Sequence, residues 1–307
     1  MEKQRILWMD IAKAFGILVV LIVHSGISLG WVTFLGGMFY MPVFFVLAGM
    51  TFTWRKEEGF WSFVKKKARR LLVPYFAYNL FLFLFFFAKD RLLTGSISSE
   101  AFFPLLGIVY SRNCLYDMNA AHNVYFMQIL NAPTWFLTGL FVSLVIFRLL
   151  MQAAGGDLRR LMALNSGVLL LAVLVHYFCP VLLPWSLDCA LYVVSFLSFG
   201  KALAEYGCVE KLYKKPPALL FLAAAFVGLS LVNGSVNMSV AEYGSSMILY
   251  LLVGGLGSLL CMELSLFLEK HTRYLSAGCA WLGRHTMPVL CLHLFVFSVI
   301  GTLLGMF

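Results

Sequence analysis

Apolar runs long enough to cross a lipid bilayer recur from one end of this 307-residue chain to the other. About 20 apolar residues span the hydrocarbon core as a helix. Within lipid every backbone polar group needs an internal partner, so such runs fold as helices. Hydrophobic residues make up 62% of the chain and charged ones 12%, which leaves too little polar surface to solvate a soluble domain of this length. The chain therefore reads as all-α, a polytopic transmembrane helix bundle of about 9–10 spans, with one domain over 1–307 and no separate soluble domain. Nine helices are predicted, roughly at 5–29, 33–54, 71–88, 134–151, 161–178, 186–205, 217–233, 243–268 and 281–306. A tenth, short or re-entrant, fits the 89–133 stretch, where Ala101 to Tyr110 is apolar but too short to span alone.

Charge gives these helices an expected orientation. The net charge of +9 would raise nucleic acid as a partner for a soluble protein. Here the cations cluster at the ends of apolar segments, which indicates topology and anionic lipid instead. Lys3 and Arg5 precede the first helix, and Lys65, Lys66, Lys67, Arg69 and Arg70 follow the second. Arg148, Arg159 and Arg160 follow the fourth, Lys211, Lys214 and Lys215 the sixth, and Lys270 and Arg273 the eighth. This alternation places the N-terminus in the cytoplasm, with Lys89, Arg91 and Arg112 as exceptions on the other side. Nine helices leave the C-terminus outside; a tenth would bring it back. The first segment resembles a secretory signal, but Asp10 and Lys13 interrupt the apolar core such a signal needs, so it reads as a retained helix. Seven cysteines show no CxxC pair or metal-ligand spacing, so neither a metal site nor a disulfide framework is expected. Cys261 and Cys291 lie inside apolar runs and read as small hydrophobes. Pro216-Pro217 reads as a helix start.

Ionisable residues inside a span are costly and face a cavity or a partner. The first helix holds Asp10, Lys13 and His24. At about 100° per residue all three fall within roughly 60° of one another, and His24 stands about 21 Å along the axis from Asp10. Asp10 and Lys13 read either as part of a site or as an interfacial pair with a snorkelling lysine. His24 reads as a chemical group or as a structural hydrogen-bonder. The run Lys65-Lys66-Lys67-Ala68-Arg69-Arg70 suits phosphates, or equally a positive-inside stop against anionic lipid. Trp135 suits a sugar face or the interfacial aromatic belt. Asn131, Asp117 and His122 lie in the long outer stretch, Asp188, Asn233, Asn237 and Glu242 at other outer ends, Glu263 within the eighth helix and His293 in the last.

Taken in order, these motifs resemble the acyltransferase-3 family. They are Arg5…Asp10-x-x-Lys13…His24, then Phe39-x-Met41-Pro42-x-Phe44-Phe45-x-x-x-Gly49, then Arg69-Arg70-Leu71-Leu72-x-Pro74-Tyr75. The series continues with Pro133-x-Trp135-Phe136-Leu137, Leu197-x-Phe199-Gly200-Lys201, and Leu282-Gly283-Arg284-His285-Thr286-Met287-Pro288 running into His293. The chain is most similar to the fucose 4-O-acetylase-like subgroup. The resemblance implies a bacterial inner-membrane enzyme that moves an acyl group, usually acetyl from acetyl-CoA, to a hydroxyl of an extracytoplasmic glycan. It makes His24, with Asp10, the catalytic candidates and places Arg69 and Arg70 in the family's cytoplasmic basic motif. Where that motif has two Arg three apart, this chain has Lys67 before Arg70. His285 stands where the family often has Asn or Ser and is assigned no role.

The chemistry fits the resemblance. Acyl transfer from a thioester needs a base for the attacking hydroxyl and donors for the developing oxyanion. A neutral histidine serves as that base, or carries the acyl group covalently. Lys67, Arg69, Arg70 and Lys13 are the candidates to hold the donor, and Trp135, Asn131 and His293 to hold the acceptor. Expected partners are the acyl-CoA donor, the glycan acceptor and membrane lipid, with no nucleic acid; a homodimer is compatible. The main alternative is a transporter or exporter of a small or lipid-linked molecule, which also places charges in mid-membrane. A non-catalytic envelope partner is a third reading.

Overall fold

The apolar runs fold as helices, and no β-strand occurs among the residues that the computed structural model describes, 6–95, 102–116, 123–126 and 131–303. Lys3, Arg5, Asp117 and His122 lie outside the described residues. The helices are α1 (Leu7–His24), α2 (Trp31–Phe39), α3 (Pro42–Met50), α4 (Phe60–Thr94), α5 (Phe103–Tyr110), α6 (Trp135–Ala153) and α7 (Leu158–Phe178). They continue as α8 (Leu187–Tyr206), α9 (Cys208–Tyr213), α10 (Pro216–Asn233), α11 (Met247–His271), α12 (Arg273–Arg284) and α13 (Thr286–Leu303). Nine segments among the described residues are long and apolar enough to cross a membrane, α2 with α3 making one of them. The eight residues of α5 reach about 12 Å, too short to cross.

Several details differ from the sequence reading, among them the following. The predicted 33–54 helix breaks at Tyr40–Met41, because Pro42 has no N–H to continue the ladder and instead opens α3. The predicted 71–88 helix extends from Phe60 to Thr94, 35 residues or about 50 Å, and takes in the whole basic run. A run of cations does not end a helix when one face still buries apolar groups. Here Phe63, Leu71, Tyr75, Asn79 and Leu82 are buried at spacings of three, four and eight. The predicted 281–306 helix is α12 followed by α13, with the break at His285. Arg148 does not follow the fourth span but lies inside α6, buried.

Two compact units divide the described chain, and each has its own seams. The first comprises Met1–Thr53, Ser195–Val236 and Tyr243–Val289. In it α1 packs on α11, α12, α2 and α3, and α11 packs on α10 as well. Glycines set the closest approaches. A Cβ on Gly49 of α3 would run into the Leu197 carbonyl of α8, and one on Gly200 of α8 into the Val46 carbonyl of α3. A Cβ on Gly283 of α12 would meet the Asp10 carbonyl of α1 in the same way. Met38, Phe226 and Val253 form a buried cluster where α2, α10 and α11 meet.

The second unit comprises Trp54–Val194, Asn237–Glu242 and Leu290–Phe307. Here α4 packs on α6 and α5, and α6 packs on α7. Further along α4, Phe81, Phe85 and Phe86 meet Phe295 of α13 edge-on, with ring centroids 5.0–6.4 Å apart. At one end of this unit Arg112 ties three loops together, donating to Leu183 O at 3.2 Å, to Ser239 O at 2.8 Å and to the Asp188 carboxylate. Tyr110 donates to Leu182 O at 2.8 Å beside it.

Candidate functional site

The face of α1 predicted from helical spacing is present. Asp10 is 2% exposed, and Lys13 Nζ donates to its Oδ1 at 3.0 Å from one turn further along. The pair sits where Gly283 lets α12 close onto the α1 backbone, so the carboxylate is enclosed while the lysine remains partly exposed. His24 is the last residue of α1 and is half-buried. Its Nδ1 lies 2.8 Å from Val20 O. A carbonyl only accepts, so Nδ1 carries the hydrogen, and in the neutral ring Nε2 is the nitrogen with the lone pair. A neutral ring in that tautomer accepts a proton at Nε2.

The basic run lies in the other unit and is sorted by the helix that contains it. Lys67 follows Phe63 and precedes Leu71 on the inward stripe of α4, and it is half-buried, with Nζ 5.4 Å from the Phe63 ring centroid. Arg69 and Arg70 point off that stripe and are exposed. Lys66 is exposed and lies 3.8 Å from the Glu58 carboxylate. Of the three candidates for the donor on α4, only Lys67 faces protein.

In the same unit the structure draws the three acceptor candidates into one region. Asn131 is buried, and its Nδ2 donates to Cys291 O of α13 at 3.2 Å, two residues from His293. Its main-chain oxygen accepts from Thr134 Oγ1 at 2.8 Å, and Thr134 Oγ1 in turn lies 3.1 Å from Asn79 Nδ2 of α4. Trp135 opens α6 directly after this turn. It is 7% exposed, so the interfacial-belt reading gives way to an enclosed indole packed edge-on to Phe136. His293 is buried, with Nδ1 3.0 Å from Leu290 O and the Phe297 ring at 5.9 Å.

Several groups were not legible beforehand. Arg112 counted as a stray outer cation, but it is fully enclosed and paired with Asp188, 76 residues away. Only an acid and a base both placed at loop ends hinted at the pair. Burial pushes the neighbouring Tyr110 hydroxyl above its ordinary pKa, against the pull of the Arg112 cation. Both carboxylate oxygens of Glu263, buried in α11, lack a donor among the described residues. Arg148 and Trp54 have buried donors in the same condition.

A histidine at the end of an apolar helix fits several chemistries, and the comparison of the whole chain gives the class of protein that holds it. The family described as an acyltransferase domain, of the acyltransferase-3 type, matches residues 6–307. The chain belongs to that family. It is a membrane acyltransferase. No curated protein and no solved structure matches it. Several glycines in the acyltransferase motifs have a direct physical purpose. Gly49 and Gly200 meet reciprocally at the α3–α8 seam, and Gly283 seats α12 against the Asp10 backbone.

Proposed function

We propose that this acyltransferase is an O-acetyltransferase of the fucose 4-O-acetylase-like subgroup. It moves acetyl from cytoplasmic acetyl-CoA to a hydroxyl of an extracytoplasmic glycan or related envelope acceptor, in a bacterial inner membrane with its N-terminus cytoplasmic. The observation that carries this reading is His24, held by Val20 O in the tautomer of a base, in a chain whose whole length matches the acyltransferase family. In the proposed step Nε2 takes the hydroxyl proton while the oxygen attacks the thioester carbonyl. The carbon–sulfur bond then breaks, and coenzyme A leaves as a thiolate that takes up a proton. Lys67, Arg69 and Arg70 hold the donor phosphates, and Lys13, oriented by Asp10, adds positive charge near the start of α1. Trp135, Asn131 and His293 form the acceptor side from buried positions around the start of α6 and α13.

Label transfer from radiolabelled acetyl-CoA to envelope glycans tests the reading. His24→Ala, at unchanged membrane level, is expected to lower transfer about a hundredfold or more, the usual worth of a general base. Equal labelling by both proteins would remove His24 from the mechanism. Replacing Lys67, Arg69 and Arg70 with Gln is expected to raise the KM for acetyl-CoA about tenfold, as lost charge-assisted contacts imply. An unchanged donor dependence would count against their role.

A further inference from the structure

At the end of the second unit that holds the basic run, a buried cation has no counter-ion among the described residues. Arg148 of α6 is 4% exposed, and its Nη2 donates to Glu58 O at 2.9 Å. Its Nε and Nη1 are enclosed and have no acceptor among the described residues. The indole Nε1 of Trp54, equally enclosed, also has none. One pair of packed segments carries these donors. Trp54 and Glu58 lie on the turn that leads into α4, and Arg148 and Gly156 lie at the end of α6 and in the turn after it. The Trp54 ring lies so close to Gly156 that a Cβ there would fall 2.6 Å from Cζ3.

The acids of these turns are engaged elsewhere. The Glu58 carboxylate faces Lys66, Asp157 accepts from the Arg160 N–H at 2.8 Å to cap α7, and Glu57 is exposed. An enclosed guanidinium without a carboxylate is costly in a low-dielectric interior. So are enclosed N–H groups without acceptors. Glu58 O is the one acceptor these groups meet among the described residues, and Lys66 of α4 adds positive charge through its approach to the Glu58 carboxylate. The matching ligand is an anion with several acceptor oxygens on one centre, which describes a phosphate group.

We propose that Arg148 and Trp54 form a phosphate site covered by the 54–59 turn, and that the phosphate it takes is one on the nucleotide end of the acyl donor. Arg55, Lys56, Glu57 and Gly59 of that turn are exposed, so it can lift to admit the group. The choice of a coenzyme phosphate rests on the acetyl-CoA reading above; an anionic lipid headgroup presents the same chemistry.

The test is direct binding of coenzyme A to the full chain in phosphatidylcholine nanodiscs. Wild type is compared with Arg148→Gln, with Trp54→Phe, which keeps a ring against Gly156, and with Arg159→Gln as an exposed-charge control. A second arm measures melting in nanodiscs with and without phosphatidylglycerol. Arg148→Gln is expected to weaken coenzyme A binding about tenfold or more and Trp54→Phe severalfold, with the control unchanged. Should Arg148→Gln fail to fold, Trp54→Phe decides. If wild type binds coenzyme A and the folded variants bind it equally well, the site is overturned while the donor reading stands. If wild type binds no coenzyme A but phosphatidylglycerol raises its melting point and the variants lose that gain, the phosphate site stands with lipid as its source, and the donor reading fails instead. No response to either probe overturns the site.

Discussion

At the scale of single residues, environment separates side chains that look alike in sequence. Arg112, Arg148 and Arg159 each sit near the end of an apolar run. Arg159 is exposed, as a topological charge should be, whereas the other two are enclosed by protein. Arg112 has an acidic partner, and the asymmetry of buried ion pairs makes that testable. Asp188→Asn alone leaves the guanidinium without its counter-charge and is expected to cost about 3–5 kcal/mol, whereas Arg112→Met with Asp188→Leu is expected to cost much less. Denaturation of the purified variants in one detergent checks the order. A double variant no more stable than the single one would show that the loops depend on the Arg112 hydrogen bonds to carbonyls rather than on the pair. His24 shows the same dependence on surroundings, since its position on α1 follows from spacing but its tautomer follows from Val20 O.

At the scale of helices, glycine seams decide which elements touch. Gly49 and Gly200 let α3 and α8 approach until each glycine faces a carbonyl of the other helix. A methyl group at either position forces the backbones apart, so Gly49→Ala or Gly200→Ala is expected to cost about 1–3 kcal/mol or more. Gly167 of α7 and Gly228 of α10 have open space where a Cβ would go, and alanine there should leave stability unchanged or slightly raised. Thermal melting of the four variants checks the contrast; equal behaviour would mean that the seams relax freely. The basic run belongs to this scale too. Because α4 continues through it, Lys67 shares a stripe with Phe63 and Leu71 while Arg69 and Arg70 point away, so three neighbouring cations face different surroundings.

For the whole molecule, alternating spans make a prediction about sidedness. In a variant stripped of its native cysteines, single cysteines at Arg159 and Lys214, both exposed, should react with an impermeant thiol reagent only after cells are opened. One at Ser235, exposed beyond α10, should react in intact cells. The reverse pattern would invert the orientation and with it the assignment of donor and acceptor sides.

Hydrophobic run length determined the class of fold, because in a bilayer a 20-residue apolar segment has few structures other than a helix open to it. Helical periodicity likewise determined that Asp10, Lys13 and His24 share one face, since that depends only on angle per residue. The acyltransferase motifs were visible as an ordered series. What tertiary structure decided was the partner of each group: Asp188 for Arg112, Cys291 O for Asn131, the Asp10 carbonyl for Gly283, and the enclosure of Trp135 and Arg148. Such contacts join segments far apart in the chain. Whether a polar group is buried, and what it meets there, depends on how all the helices pack at once, which no local spacing encodes.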